Sequence, residues 1–175
     1  MNDFNDQVIA EFRANRGHVT TAGFADGLVL VHSFGTKTGQ ERVHPVAAIA
    51  EDADHWLIAA SAAGAPEHPQ WYRNLMGRPQ TTIEVGTGDV QVTAEDIADD
   101  DAYAAAWARF TAMSPGFAAY EEKAAPRRIR SYASAAAEHP TLSRAAPVHR
   151  WRPDPVRSQN VYGTWTQVRT SAPRG

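Results

Sequence analysis

The feature that most limits the fold of this chain is its succession of short β-type segments, most of them joined by short loops. These segments are residues 28–32, 42–51, 55–60, 81–85 and 90–94. The last two are connected by Gly86-Thr87-Gly88-Asp89, which is typical of a hairpin turn. Short connections join antiparallel neighbours, whereas parallel strands need long crossovers. The order therefore predicts an antiparallel sheet or barrel rather than a doubly wound parallel sheet.

Helical spacing of apolar residues predicts four helices around these strands, at residues 2–16, 69–76, 99–112 and 114–123. The apolar face of the first helix is expected to pack on the sheet, although a face lying on a membrane or on a substrate is the alternative. Asp99, Asp100 and Asp101 are interpreted as the cap of the third helix, where carboxylates favour the positive end of the helix dipole.

Composition excludes several classes of protein. The 175 residues carry a net charge of −3 and include no cysteine. Disulfides, thiolate zinc sites and cysteine nucleophiles are therefore excluded, and nucleic acid is not expected as a partner. The seven histidines lack metal-ligand spacing, so no metal site is predicted. The first residues do not form a signal peptide pattern, and no apolar run approaches the ~18 residues of a membrane span, so we expect a cytoplasmic protein.

The loop after the first strand has the chemistry of a phosphate site. In the segment Gly35-Thr36-Lys37-Thr38-Gly39-Gln40-Glu41-Arg42, two cations and several neutral donors lie beside two glycines. The glycines let backbone N–H groups converge on an anion, while the two side-chain cations supply charge-assisted hydrogen bonds. The alternative is a solvated hairpin loop.

A second segment, residues 61–75, has the chemistry of a site for a flat polar ring. Small polar residues after a strand end at Ser61 precede a helix that carries Trp71, Tyr72 and Asn74. Ser61 offers a hydroxyl and a backbone N–H, or else it is a simple turn residue. Because Trp71 and Tyr72 lie about 100° apart on a helix, one is expected in the core and the other beside a ligand.

These two segments together resemble a known family. Lys37-Thr38-Gly39-Gln40-x-Arg42-x-x-Pro45, then Ala60-Ser61-x-x-Gly64, then His68-Pro69-x-Trp71-Tyr72-x-Asn74-Leu75 are similar, in order and spacing, to the deazaflavin-dependent nitroreductases of actinobacteria. The resemblance covers about residues 8–129.

The resemblance implies an α+β fold, a split β-barrel of mainly antiparallel strands with peripheral helices. It also implies hydride transfer from reduced coenzyme F420 to a small-molecule acceptor, namely a quinone, a nitroaromatic or an activated alkene. The alternatives are an oxidoreductase that uses flavin mononucleotide (FMN) on the same barrel and a non-catalytic protein that stores coenzyme F420.

The resemblance also assigns the site. The residues expected to bind the cofactor are Lys37, Thr38, Gly39, Gln40, Arg42, Val43, His44 and Pro45 around its phosphate, and Ala60, Ser61, Trp71 and Asn74 around its ring. Ser61, Tyr120 and solvent are the candidate sources of the proton that completes reduction, so Ser61 and Tyr120 are the catalytic candidates. A homodimer and a peripheral contact with the inner face of the membrane are left open by the sequence.

The chain departs from the family in two places. Where relatives often carry several tyrosines over the acceptor, this chain has Ser114, Phe117 and Tyr120, which predicts a more apolar pocket. The Arg-x-Ile-Pro-Val-like final strand breaks after Ile129. We therefore predict a barrel domain at residues 1–129 and an atypical extension at 130–175. That extension is either largely disordered or replaces the final strand with residues 161–168.

Overall fold

The computed structural model describes residues 3–86 and 88–136, which form six strands and four α-helices. In chain order these elements are α1 (Asp3–Ala14), β1 (Leu28–Phe34), β2 (Glu41–Ala50), β3 (His55–Ala59), α2 (Gln70–Gly77), β4 (Gln80–Val85), β5 (Gly88–Asp96), α3 (Asp100–Met113), α4 (Gly116–Ala124) and β6 (Ser131–Ala136).

The six strands form one closed barrel in the order β1-β2-β3-β6-β5-β4, and all neighbours are antiparallel. The predicted α+β fold with an antiparallel barrel is therefore confirmed. The β1–β2 hairpin pairs Leu28 with Ala47 at one end and Phe34 with Glu41 at the other, which leaves residues 35–40 as its loop.

Pro45 lies where a strand can accept a proline. It is opposite Leu30 of β1, whereas β3 pairs only with residues 48–50 of β2. Proline has no N–H for a ladder, so it is found on strand edges and at bulges. The long strand β2 therefore carries Pro45 in the part that has one partner strand.

The strand that closes the barrel, β6, was not among the predicted strands. It pairs with β3 from Ala59↔Ser131 to His55↔Ala135, and its other edge pairs with β5. The barrel therefore continues past the boundary predicted after residue 129. The Ala- and Ser-rich sequence of β6 has little intrinsic β-propensity, and pairing along both edges stabilises the strand instead. The predicted strand at 161–168 and the predicted disorder of the tail lie outside the described residues.

The interior of the barrel is apolar, and α2 covers one of its ends. Alternate strand residues point inward, including Val29, Val31 and Ile58, and they pack against Trp71 and Leu75 of α2. Burying a side chain of this size contributes about 1.5–3 kcal/mol. The helix that carries the predicted ring site is therefore fixed to the barrel by its own apolar face.

Helix α1 packs on the outside of β1. Val8 and Phe12 are buried against Leu28 and Leu30, whereas Phe4, near the start of the helix, is 44% exposed. The expected packing of α1 on the sheet is thus present. Val8 and Phe12, on the face that would have to contact a membrane in the alternative interpretation, are buried against β1. Within the part of the chain that the structure describes, every helix is too short or too polar to cross a bilayer.

The expected cap of α3 is confirmed. The carboxylate of Asp99 accepts a hydrogen bond of 2.9 Å from the backbone N–H of Ala102. Trp107 and Phe110 of α3 then pack against Phe117 of α4, with ring centroids 5.9 and 5.3 Å from that of Phe117. This aromatic cluster fixes α4 beside the barrel.

Candidate functional site

The β1–β2 loop is a tight turn that needs both of its glycines. The N–H of Gly35 donates to the carbonyl of Gln40 at 2.9 Å, and the N–H of Gly39 donates to the carbonyl of Gly35 at 2.8 Å. Gly39 has a φ of +65°, and a Cβ on Gly35 would lie 2.6 Å from the hydroxyl of Thr38. The loop is therefore a cradle that side chains in place of these glycines would distort or fill.

The cations of this loop face solvent. Lys37 and Arg42 are both exposed, and among the described residues neither side chain forms a hydrogen bond or an ion pair within the protein. Thr38 and Gln40 are exposed beside them, and the Thr38 hydroxyl accepts from the N–H of Gln40 at 3.3 Å. The donor set suits a phosphate, which takes charge-assisted hydrogen bonds from Lys and Arg.

Below the loop, a line of polar side chains joins the barrel to α2. His44 Nε2 lies 3.1 Å from the hydroxyl of Ser33, Asn74 Nδ2 donates to that hydroxyl at 3.5 Å, and Gln70 donates to Asn74 at 3.1 Å. Ser33 is fully buried and Asn74 is 3% exposed. The two predicted site residues on either side, His44 and Asn74, are therefore brought together through Ser33, which sequence reasoning did not single out.

The charge of His44 is set by its surroundings. Burial, and then the positive charge of Arg42, lower the pKa of His44 below its ordinary value of 6.5. At neutral pH the imidazole is therefore uncharged. The positive charge of the site then comes from Lys37 and Arg42, while His44 serves as a neutral hydrogen-bonding group.

The remaining predicted residues of the loop strand, Val43 and Pro45, are half-buried on β2. Val43 packs against the cluster beneath α1, and Pro45 pairs with β1. Both residues support the loop by packing.

The second predicted segment is an unusual turn at the end of β3. Ala62, Ala63 and Gly64 have φ values of 49°, 50° and 75°, so three consecutive residues are left-handed. An L-residue in this region costs about 1–2 kcal/mol, so the two alanines together cost on the order of 2–4 kcal/mol. Strained backbone of this kind is common at functional sites.

Two basic side chains, one from the last turn of α4 and one from the segment after it, hold this turn in place. Arg127 donates to the carbonyls of Ala60, Ser61 and Ala65, and Lys123 donates to the carbonyl of Ala63 at 3.2 Å. The backbone changes from right-handed at Ser61 to left-handed at Ala62. In such a turn successive N–H groups converge and form a concavity that binds anionic or carbonyl oxygens.

Trp71 and Tyr72 are both buried, at 8% and 9% exposure, and both belong to the barrel core. Their exposure does not distinguish the two side chains, so the expectation that one of them borders a ligand stays a prediction. Both are buried because α2 packs this side of the helix against the core of the barrel. His68 lies against Tyr72, with ring centroids 4.8 Å apart.

Tyr120 lies on α4, half-buried, with its ring edge-on to Phe117 at 5.8 Å. Its backbone carbonyl is close to the left-handed turn, because a Cβ on Gly64 would lie 2.9 Å from it. The structure thus places the two catalytic candidates, Ser61 and Tyr120, on adjacent segments.

A cleft of about 220 Å³ lies at the end of the barrel opposite α2. Its lining residues include Arg16, Asp26, Trp56 and Gly86. None of the predicted site residues lines it. Among the described residues, no group of three or more His, Asp or Glu side chains is placed to hold a metal ion.

Comparison with known proteins points to one family. A family model described as F420H(2)-dependent quinone reductase matches residues 6–132. An F420H(2)-dependent quinone reductase of Mycobacterium tuberculosis is 40% identical over 80 residues, or 45% of this chain and 53% of that protein. The chain therefore spans about half the length of the curated relatives that it matches.

Two solved structures share the fold. A structure of an F420-H2-dependent reductase is 26% identical with a TM-score of 0.54, covering 62% of this chain and 93% of its own. A structure described as a domain-swapped dimer is 25% identical with a TM-score of 0.56, covering 74% of this chain and 92% of its own.

The family match contains both predicted segments, the barrel up to the second residue of β6, and all four helices except the start of α1. It confirms the resemblance to deazaflavin-dependent reductases that the two motifs indicated. The chain therefore belongs to the F420H(2)-dependent quinone reductase family.

Proposed function

We propose that this protein binds reduced coenzyme F420 between the β1–β2 loop and the left-handed turn after β3, and that it catalyses reduction of a quinone. The observation that carries the proposal is the pair of exposed cations, Lys37 and Arg42, on a glycine loop that is joined to the ring-binding helix through buried Ser33. Family membership supports coenzyme F420 rather than FMN as the partner of this loop. Nitroaromatics and activated alkenes are further acceptors to be tested.

The loop would hold the phosphate of the coenzyme. Lys37 supplies a point charge and Arg42 a forked donor, while Thr38, Gln40 and the backbone N–H groups add neutral hydrogen bonds. Neutral His44 adds a hydrogen bond without competing for the negative charge. Each charge-assisted bond contributes about 1.5–3 kcal/mol, which corresponds to roughly ten- to a hundredfold in affinity.

The turn after β3 would hold the ring. The N–H groups around Ser61 suit the carbonyl oxygens of a deazaflavin, and we assign Asn74 to the same ring on the family resemblance. The bound deazaflavin supplies the chemistry, an obligate two-electron hydride donor, and the protein supplies position and exclusion of water. Trp71 supports the site from within the core.

Reduction also needs a proton at the acceptor. Ser61 and Tyr120 carry hydroxyls on the two segments that meet at Gly64, and either can deliver a proton directly or through water. Ser61→Ala and Tyr120→Phe distinguish the two candidates. Removing the hydroxyl that donates the proton should lower kcat, while the affinity for the coenzyme is kept.

The proposal is tested by fluorescence titration of the purified protein with coenzyme F420 and with FMN. Lys37→Ala and Arg42→Ala should each raise the Kd for coenzyme F420 by roughly ten- to a hundredfold. Arg16→Ala, which removes a charge at the other end of the barrel, is the matched control and should leave the Kd unchanged.

The titration, together with an assay of quinone reduction, has three other informative outcomes. Selective binding of FMN would refute the choice of coenzyme. Tight binding of reduced coenzyme F420 without oxidation by menadione or other quinones would identify a non-catalytic binding protein. Binding that survives both loop substitutions would refute the assignment of the phosphate site.

We also propose that the protein forms a homodimer, because one solved relative is described as a domain-swapped dimer. Light scattering coupled to size-exclusion chromatography on the same preparation tests this. A monomer at micromolar concentration would contradict it.

A further inference from the structure

Arg127, in the segment between α4 and β6, contacts the ring-binding turn more extensively than any other described side chain. Its Nε donates to the carbonyl of Ala65 at 2.8 Å, its Nη2 to that of Ser61 at 2.8 Å, and its Nη1 to that of Ala60 at 3.3 Å. A planar guanidinium is suited to such a contact because its donors form a rigid fork. The three bonds link a single side chain to both ends of the strained turn.

The direction of these bonds fixes the direction of the opposite groups. In a trans peptide the carbonyl and the following N–H point in opposite directions. Because Arg127 binds the carbonyls of Ala60 and Ser61, the N–H groups of Ser61 and Ala62 point away from it. Among the described residues no protein acceptor is found for these two N–H groups.

The charge of Arg127 also acts through these peptides. A cation at the carbonyl polarises the peptide group, so that the N–H on the other side becomes a stronger donor. Lys123 adds a second cation on the carbonyl side, at the carbonyl of Ala63. The turn thus has its cations behind its carbonyls and its free donors in front.

We propose that Arg127 is a positioning residue of this site, which holds the turn so that the N–H groups of Ser61 and Ala62 bind a carbonyl oxygen of the cofactor ring. The inference rests on the proposed function, because that function places the ring at this turn. Arg127 acts only through the backbone of the turn.

The neighbouring residue provides a matched control. Arg128 stacks on Tyr103, with its guanidinium carbon 3.6 Å from the ring centroid, and it forms an ion pair with Asp100. It makes none of the contacts of the turn. The variants therefore differ in the hydrogen bonds from residue 127 to the carbonyls of the turn. Arg127→Ala removes all three, Arg127→Lys keeps a cation without the fork of donors, and Arg128→Ala leaves them unchanged.

Amide hydrogen exchange of the protein without coenzyme is the first measurement. The N–H groups of Gly64 and Ala65 bond to the carbonyls of Ser61 and Ala62 at 3.0 Å and report the closed turn. Their exchange should accelerate at least tenfold in Arg127→Ala. Arg127→Lys should lie between Arg127→Ala and wild type, and Arg128→Ala should match wild type.

Titration with coenzyme F420 is the second measurement. Arg127→Ala should raise the Kd at least tenfold, and added guanidinium ion should restore part of the loss. A role in stability alone would leave the Kd unchanged at temperatures well below the melting point. Where Arg127→Ala does not fold, the same comparison is made between Arg127→Lys and Arg128→Ala.

The outcomes separate the two proposals. Wild-type exchange or wild-type affinity in Arg127→Ala would overturn the role of Arg127 while leaving the proposed function intact. If the wild-type protein binds no coenzyme F420, the proposed function fails, and the ring-positioning role fails with it even if exchange at the turn still depends on Arg127.

Discussion

Replacing Gly64 by alanine should destabilise the fold much more than the same replacement at Gly39. Both glycines have positive φ values, +75° at Gly64 and +65° at Gly39. At Gly39 an added Cβ meets nothing within 4 Å, whereas at Gly64 it would lie 2.9 Å from the carbonyl oxygen of Tyr120 and 3.0 Å from Cβ of Lys123. The two substitutions therefore share the cost of a left-handed backbone, and only Gly64→Ala adds a steric clash.

The magnitudes follow from these two contributions. The left-handed conformation costs an alanine about 1–2 kcal/mol at either position. At Gly64 the carbonyl of Tyr120 belongs to helix α4 and cannot move freely, which adds about 1–3 kcal/mol of overpacking. We expect a loss of about 1–2 kcal/mol for Gly39→Ala and about 2–5 kcal/mol for Gly64→Ala.

Urea denaturation of wild type, Gly39→Ala and Gly64→Ala, followed by circular dichroism, measures these losses as changes in the free energy of unfolding. Thermal melts provide a second measure, with a shift of about 2–4 °C for each kcal/mol in a protein of this size. If Gly64→Ala is destabilised no more than Gly39→Ala, then α4 does not press on the turn and the contact described for Tyr120 is wrong.

Three further predictions concern single side chains. The pKa of Glu11 is lowered from 4.5 to about 2, chiefly by hydrogen bonds from Thr20. The ionised carboxylate therefore stabilises the fold above pH 4.5, and this contribution is lost as the pH falls towards 2. In urea titrations Glu11→Gln should be less stable than wild type at pH 7 and equal to it near pH 2. Arg42→Ala should raise the pKa of His44 without restoring it fully, because burial is the larger cause; an unchanged NMR titration of His44 would contradict this. Ser33→Ala removes the hydroxyl shared by buried Asn74 and half-buried His44, so the free energy of unfolding in urea should fall by about 1–3 kcal/mol. A neutral result would show that the link to α2 contributes nothing.

Most of the fold could be predicted because its signals are local. Short apolar or β-rich runs between turns identify β1 to β5, and helical spacing identifies the helices to within a few residues. The closing strand β6 could not be found in this way, because Ser131–Ala136 consists mostly of alanine and serine and is stabilised by partners 36–80 residues earlier in the chain. Pairing between distant segments leaves little trace in the local sequence.

The candidate site could be predicted in part for the same reason. The loop from Lys37 to Arg42 is contiguous, and its chemistry can be read from one segment. Ser33 and Arg127 could not be identified, because each acts on residues at least 11 positions away in sequence. For Ser33 one signal was available: it continues the alternation of buried Val29 and Val31, so that a hydroxyl falls on the inward face of β1 just before the glycine loop.

The late position of β6 in the chain has a consequence for synthesis in the cell. Until residues 131–136 have been made, β3 and β5 each present an unpaired edge, and unpaired edges invite association with other chains. A nascent chain therefore carries an incomplete barrel through most of its translation, with α2 already available to cover one end. Truncation just before Ser131 would leave β3 and β5 with unpaired edges, so the short strand Ser131–Ala136 protects the barrel against association with other chains.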